Sequence, residues 1–265
     1  MMRPLLRLSL SMLMALSVPA LADVPNESIE ADASTRQVAI TSSFTGTEIL
    51  VFGAVSNSTQ PTPEAGTYDI IVVVEGISAP VTVRMKSRVG GIWVNTQSMR
   101  FASVPSYYAI ASTRPVDEIA DRAVLDAHGI GFDHVRMVRT SQSRTDATDP
   151  AEMQAFRQAL IGLKKDEHVY VQSDFGVSFV GRSLFRATIA LPPNVPVAPL
   201  TAHVFLFKDG KLLGQYDSRV MLQREGIERY IHETAMTRPL LYGVFTVLMA
   251  AGFGLTAAFA FRRPA

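Results

Sequence analysis

The sequence predicts a mainly β protein with two immunoglobulin-like β-sandwich domains, a helical insert between them and one C-terminal transmembrane helix. Three observations support this fold class. Apolar residues alternate at period two in residues 23–113 and again in 167–225, which is typical of short, half-buried strands. The intervening residues 114–166 carry apolar positions at helical spacing, and 239–261 form one unbroken apolar run.

The first 22 residues have the composition of a secretory signal peptide. Arg3 and Arg7 precede a short apolar run, and Ala20-Leu21-Ala22 provides the small residues of a cleavage site. We therefore expect cleavage after Ala22. The alternative, an uncleaved signal anchor, would need a longer apolar stretch and no small residues at its end.

The first predicted sandwich, residues 23–113, contains short alternating segments separated by turn-rich sequence. Residues 70–74 are apolar on both faces, which is expected of a central strand. The single tryptophan, Trp93, follows the Gly90-Gly91 turn, and we expect it to anchor this core. The alternating positions include Val38 and Ile40, Ile49 and Val51, Tyr68 to Val74, and Val81 to Met85.

The helical insert is predicted to hold two helices. The first begins near Pro115 and ends before Gly129, because glycine commonly terminates helices. The second begins with Asp149 and Pro150, and Glu152 completes a capping box. Its expected buried stripe consists of Met153, Phe156, Leu160 and Ile161.

The second predicted sandwich, residues 167–225, contains the strongest hairpin signal in the chain. Asp209-Gly210 separates two alternating segments, and this dipeptide favours a two-residue type I′ turn. We expect residues 226–238 to form a juxtamembrane helix that continues into the apolar segment 239–261.

Residues 239–261 are predicted to be a transmembrane helix. A helix of this length reaches about 34 Å, enough to cross a hydrocarbon core of about 30 Å. A buried core helix, the alternative, would carry a polar stripe that this segment lacks. Arg262 and Arg263 follow at once, so the positive-inside rule places residues 262–265 in the cytoplasm. We therefore expect a single-pass inner-membrane protein that contacts the lipid bilayer and is periplasmic from residue 23 to the span.

The composition excludes several classes of protein and site. Without the four arginines of the two apolar ends, 21 basic and 24 acidic residues remain, a balance that argues against nucleic-acid binding. The absence of cysteine removes thiolate metal sites, cysteine nucleophiles and disulfides. The five histidines show no metal-ligand spacing, and no catalytic motif occurs. We therefore predict a protein that is not an enzyme and holds no metal or cofactor. The alternative, an enzyme, requires that folding bring distant carboxylates and histidines into one cleft.

The strongest candidate binding site lies in residues 81–95. On a strand, Arg84, Lys86 and Arg88 fall on one face, where three cations could bind an anion. The alternative is a solvated outer face, or an edge strand protected by charge. Trp93 and Asn95 follow the turn and are candidate partner-binding residues.

A second candidate for partner binding is the pair Tyr107 and Tyr108. Adjacent residues on a strand point to opposite faces, so we expect one tyrosine in the core and the other exposed. An exposed tyrosine can anchor a partner protein.

Four segments resemble a known family: SSFTGTEILVFGAV at 42–55, RMKSRVGGIWVN at 84–95, VPSYYAIAST at 104–113 and SLFRATIALPPNVP at 183–196. With the signal peptide and the GIERYI segment before the span, they make the whole chain similar to a family of alphaproteobacterial putative transmembrane proteins. The resemblance implies an inner-membrane protein with a periplasmic domain. Members of this family are encoded near sulfite-exporter-like permeases, so the resemblance also implies a polytopic membrane transport protein as partner. It supplies no catalytic residues. A binding or assembly module is therefore the leading hypothesis, and an oxyanion-binding accessory of such an exporter is the alternative.

Overall fold

A computed structural model describes residues 27–41, 43–140, 150–225 and 227–261. The predicted signal peptide, 1–22, and cytoplasmic tail, 262–265, lie outside the described residues. The strands are β1 (Ser28–Ala33), β2 (Gln37–Ile40), β3 (Thr47–Ser56), β4 (Asp69–Gly76), β5 (Ser78–Val89), β6 (Ile92–Pro105), β7 (Tyr108–Ser112), β8 (Tyr170–Ser173), β9 (Val177–Phe179), β10 (Leu184–Leu191), β11 (Pro199–Lys208) and β12 (Lys211–Arg224). The helices are α1 (Val116–Ile119), α2 (Arg122–His128), α3 (Pro150–Asp166), α4 (Ile227–Thr237) and α5 (Pro239–Ala260). The fold is mainly β with one apolar C-terminal helix, which confirms that part of the predicted fold class.

Two larger sheets combine strands from both predicted sandwiches. One has the order β1-β3-β10-β9, and the other has the order β2-β12-β11-β4-β7-β8. β3 pairs with β10 and β4 with β11, so the two β stretches share their sheets. The pairs β2–β12 and β7–β8 are parallel, unlike the antiparallel sheets of an immunoglobulin-like domain. The structure differs from the predicted pair of domains because alternation reports which face of a strand is buried, and not which strand it pairs with.

The two larger sheets contribute to a single hydrophobic core. β4 lies inside the six-stranded sheet, and residues 70–74 are at most 2% exposed, as expected of a central strand. The core also includes Leu125 of α2 and Ile130 of the following loop. The ring of His128 lies 5.8 Å from the ring of Phe205 on β11, so the helical insert packs against the sheet.

The helical insert departs from its prediction in two details. The first predicted helix is divided into α1 and α2, because Ala120 is extended, with φ −147° and ψ 154°. Gly129 ends α2 with φ 67°, as predicted. Met153 is 42% exposed, so its predicted place in the buried stripe is wrong: periodicity marks a helix face but not how far that face is covered. The buried residues of α3 are Phe156, Leu160 and Ile161, as predicted.

The last strand hairpin and the C-terminal helices complete the described chain. Asp209 and Gly210 have φ of 50° and 77°, the left-handed values of the predicted type I′ turn. The predicted continuity between 226–238 and the apolar helix is wrong, because Arg238 has φ −136° and ψ 62° and separates α4 from α5. Within the described residues, α5 is the one helix long and apolar enough to cross a membrane, and none of its residues is buried.

Candidate functional site

A hairpin of β5 and β6 stands apart from both larger sheets. The two strands form a two-stranded sheet of their own. Their turn, Gly90-Gly91, has φ of 59° and 89°, values that glycine adopts without steric cost. The hairpin leaves the six-stranded sheet after Gly76 of β4, and the chain re-enters that sheet at Tyr108 of β7.

The half of the hairpin nearest the sheet packs on α3. The amide Nε2 of Gln97 donates a 2.9 Å hydrogen bond to Oε1 of Glu152 in the first turn of α3. Glu152 was predicted to complete a capping box with Asp149, which lies outside the described residues. The hydrophobic cluster between the two elements consists of Val83, Met99, Phe101, Val104, Phe156 and Leu160. This cluster ends before residues 85–97, so the far half of the hairpin is uncovered.

The predicted basic residues share one exposed face of the hairpin, which we call the basic strip: Arg84, Lys86 and Arg88. Lys86 lies opposite Asn95 in the strand register, and Arg88 lies opposite Trp93. Directly opposed residues point to the same face, so the structure brings all five candidates together. Among the described residues, none makes an ion pair or side-chain hydrogen bond with the basic strip. Its role in binding stays a prediction.

The end of the hairpin, which we call the hairpin tip (residues 88–94), exposes large apolar side chains. Val89 is 53% exposed, Ile92 is 65% and Trp93 is 69%. The prediction that Trp93 anchors the core is therefore wrong, because the hairpin extends beyond the layer that α3 provides. Val89 and Ile92 oppose each other on one face, and Trp93 lies on the other, with Arg88.

Tyr107 and Tyr108 are both fully buried, so the prediction that one of them is exposed to a partner is wrong. Tyr107 lies in the bend between β6 and β7, where strand alternation does not apply. Its hydroxyl donates to the carbonyl of Ala190 at 2.7 Å. The Tyr108 hydroxyl donates to the carbonyl of Gly129 at 2.8 Å and accepts from the N–H of Gly131 at 3.1 Å. Burial raises the pKa of both phenols, which remain neutral hydrogen-bonding groups that join β7 and the bend before it to their surroundings.

A cleft on the six-stranded sheet was not predicted from the sequence. The cleft has a volume of about 410 Å³ and a lining that includes Val73, Glu75, His128, Arg136, His203 and Phe205. The lining comes from β4, β5, β6, β11, β12 and the segment around α2, which are spread along the sequence, so no local motif marks the cleft. Strand pairing alone brings Glu75 close to His203, because Glu75 lies opposite Thr201 on β11.

The surroundings of the cleft shift the pKa of Glu75 and orient the side chain of His203. Burial raises the pKa of the Glu75 carboxyl, although the charges of His203 and Arg136 act in the opposite direction. Nδ1 of His203 lies 2.8 Å from Oδ1 of Asp217, its neighbour on β12, so this carboxylate orients the imidazole. No group of three or more histidine or acidic residues in the described chain is placed to hold a metal ion.

Comparison with protein families matches residues 28–263 to a family described as "Putative transmembrane protein (Alph_Pro_TM)". The match includes the complete β5–β6 hairpin, the cleft and α5. No curated protein matches the chain.

Proposed function

We propose that this chain, which belongs to the Alph_Pro_TM family of putative transmembrane proteins, is a single-pass inner-membrane protein. Its periplasmic part is a β-sandwich module for binding or assembly. The 22 residues of α5 extend about 33 Å, enough to cross a bilayer. The export signal in residues 1–22 and the arginines at 262 and 263 support the orientation. The proposed partner is a polytopic membrane transport protein in the same bilayer.

The observation that carries this proposal is the exposed basic strip with Trp93 and Asn95 beside it. Arginine and tryptophan are the side chains that contribute most often to strong binding at protein interfaces. In this hairpin they lie directly opposite each other, as Arg88 and Trp93, on a face that the rest of the described chain does not cover. A projecting hairpin of this kind is suited to recognition, whereas its base fixes it to α3.

A non-enzymatic role is also part of the proposal, and the cleft supports it. Ser78 and Ser103 line the cleft with His203, and within the described chain neither serine hydroxyl is hydrogen-bonded to the imidazole, whose Nδ1 faces Asp217. A serine nucleophile would need its hydroxyl within hydrogen-bond reach of the histidine. The cleft therefore contains an oriented imidazole without an activated nucleophile.

Photo-crosslinking in native membranes tests the proposed partner. A photoreactive residue at Asn95 of the full-length protein is expected to form an adduct with an integral membrane protein. The adduct should disappear when Arg84, Lys86 and Arg88 are all changed to Glu. Lys211, an exposed residue on the β11–β12 hairpin, is the matched control position. No adduct at Asn95, or an equal adduct at Lys211, contradicts the proposal.

A second candidate function is an oxyanion-binding accessory of a sulfite-type exporter. The specific observation in its favour is the basic strip, whose three cations have no acidic partner within the part of the chain that the structure describes, since charged hydrogen bonds to an oxyanion would satisfy them. Calorimetric titration of the full-length protein with sulfite, sulfate and phosphate tests this function. Binding that disappears on charge reversal of the strip supports it, whereas no binding, or binding unchanged by the reversal, contradicts it.

A further inference from the structure

We infer that the hairpin tip contacts the lipid surface of the same membrane that α5 crosses, with anionic phospholipid headgroups as its ligand. The inference rests on the membrane anchor of the proposed function and adds a second attachment point. It concerns the hairpin tip and the basic strip behind it, the same surface that the proposed function offers to a protein partner.

The apolar side chains of the tip would gain from a less aqueous environment. Val89, Ile92 and Trp93 are each more than half exposed, on both faces of the same turn. Complete burial of one large apolar side chain stabilises by about 1.5–3 kcal/mol, and these three remain mostly in water. The turn between Val89 and Ile92 is Gly90-Gly91, which has no side chain to obstruct entry into an interface.

The order of side chains along the hairpin matches the order of layers in a bilayer surface. Tryptophan prefers the interface between acyl chains and headgroups, and Trp93 lies next to the turn. The cations follow behind it at every second position, from Arg88 back to Arg84, over about 13 Å of strand. Lysine and arginine near an anionic leaflet each contribute about 1 kcal/mol of attraction. The basic strip therefore lies where phosphate groups would be when the tip enters the interface.

The topology of the sheet brings the hairpin and the membrane anchor to the same end. Gly76, after which the hairpin begins, pairs with Leu200 of β11, and Leu200 pairs with Val220 of β12. β12 then continues to Arg224 and leads into α4 and α5. The 12 residues of β5 span about 40 Å and the 11 residues of α4 span about 16 Å, so the hairpin is longer than the helix that separates the sheet from the membrane span.

The apolar area of the tip alone is smaller than a stable protein interface requires, whereas a lipid surface sets no such minimum. A large side chain presents about 200 Å² when fully exposed, so the three apolar residues together offer about 400 Å². Each partner in the smallest stable protein interfaces contributes about 600 Å². A bilayer needs no complementary surface of fixed shape, and it surrounds both faces of a narrow two-stranded tip at once.

Trp93 is the only tryptophan of the chain, so its fluorescence reports on the tip alone. We would reconstitute the full-length protein into vesicles of phosphatidylethanolamine and phosphatidylglycerol and excite at a wavelength that selects tryptophan. Brominated phospholipids in these vesicles are expected to quench Trp93 emission at least twofold. Quenching should weaken in pure phosphatidylcholine vesicles, which lack the anionic headgroups.

Two variants and one control make the test specific. Changing Arg84, Lys86 and Arg88 together to Glu is expected to reduce the quenching at least twofold, and so is Ile92→Asn in the apolar tip. Changing the exposed residues Lys211 and Arg219 to Glu is the control and should leave quenching unchanged. Far-UV circular dichroism shows that each variant is folded.

Trp93 emission that brominated lipid leaves unquenched overturns the inference. So does quenching that appears only after a second membrane protein is added, because lipid alone should suffice. The Asn95 adduct identifies an integral membrane protein, whereas bromine quenching reports lipid, so failure of the lipid contact is distinguishable from failure of the proposed partner binding.

Discussion

The substitution Phe156→Ala tests whether the small cluster under the hairpin fixes it to the β region. Phe156 is 1% exposed and lies between α3 and the β5–β6 hairpin, among Val83, Met99, Phe101, Val104 and Leu160. Phe-to-Ala changes in a core cost about 3–5 kcal/mol, which combines lost transfer free energy with the cavity left behind. Because both strands and the helix surround the ring, collapse around it is restricted, and we expect a loss of about 4 kcal/mol in the free energy of unfolding.

Urea unfolding of the full-length protein in a mild detergent, followed by far-UV circular dichroism, measures this loss. Met153→Ala on the same helix is the matched control, because Met153 is 42% exposed and its change should stay within about 0.5 kcal/mol. Amide hydrogen exchange locates the effect and should be faster in β5 and β6 than in β3 and β10. A loss below about 1 kcal/mol for Phe156→Ala, or one equal to the control, refutes the reasoning that this cluster holds the hairpin.

The other predictions concern stability and are measured by the same unfolding experiment. Burial raises the pKa of Glu75 above 4.5, so its ionised form destabilises the folded protein. Glu75→Gln should therefore increase the free energy of unfolding by on the order of 1 kcal/mol at pH 7 and leave it unchanged below pH 4. An equal increase at both pH values would contradict this prediction. The hydroxyl of Tyr68 donates a 2.6 Å hydrogen bond to Glu27, and the pKa of Glu27 is lowered by Lys208 first and then by Tyr68. Tyr68→Phe should reduce the free energy of unfolding by about 1–2 kcal/mol at pH 7 and by less as the pH falls. A loss that grows in acid would contradict this prediction. Gly162→Ala should stabilise α3 by about 0.5–1 kcal/mol, because a Cβ added to this residue would meet no atom within 4 Å. Gly53→Ala should reduce the free energy of unfolding by about 3 kcal/mol or more, because its Cβ would lie 2.2 Å from a carbonyl oxygen of β1. Equal effects of Gly162→Ala and Gly53→Ala would contradict the close pairing of β1 with β3.

Features fixed by neighbouring residues could be predicted from the sequence. The Asp209-Gly210 turn and the Gly129 helix end depend on local backbone conformation, and both have the expected left-handed φ values. The apolar helix at the C-terminus was also predicted, because its length and composition are enough to identify it. The face shared by Arg84, Lys86 and Arg88 followed from strand alternation alone.

Features that depend on pairing between distant strands could not be predicted. β3 pairs with β10 and β4 with β11 across the helical insert, and period-two patterns do not specify such pairs. The cleft could not be predicted for the same reason, because only the pairing of β4 with β11 brings Glu75 and His203 into one lining.

Burial of individual aromatic residues was also beyond the sequence. Trp93 is exposed because its hairpin is longer than the helix layer below it, and Tyr107 is buried because the chain bends before β7. The error for Trp93 came from the assumption that a large aromatic residue in a strand follows the average burial of its type. The error for Tyr107 came from applying strand alternation to a residue that lies in a bend. The lengths of neighbouring elements, which decide the outcome, are set by tertiary packing.

Cysteine labelling in spheroplasts tests the central claim, that the β region lies outside the cytoplasm on a single membrane anchor. The chain has no cysteine, so Asn95→Cys in the exposed hairpin and Ala265→Cys at the C-terminus each create one reactive site. A membrane-impermeant maleimide should label the Asn95→Cys variant in intact spheroplasts and the Ala265→Cys variant only after lysis. Labelling of the Asn95→Cys variant only after lysis would contradict the claim.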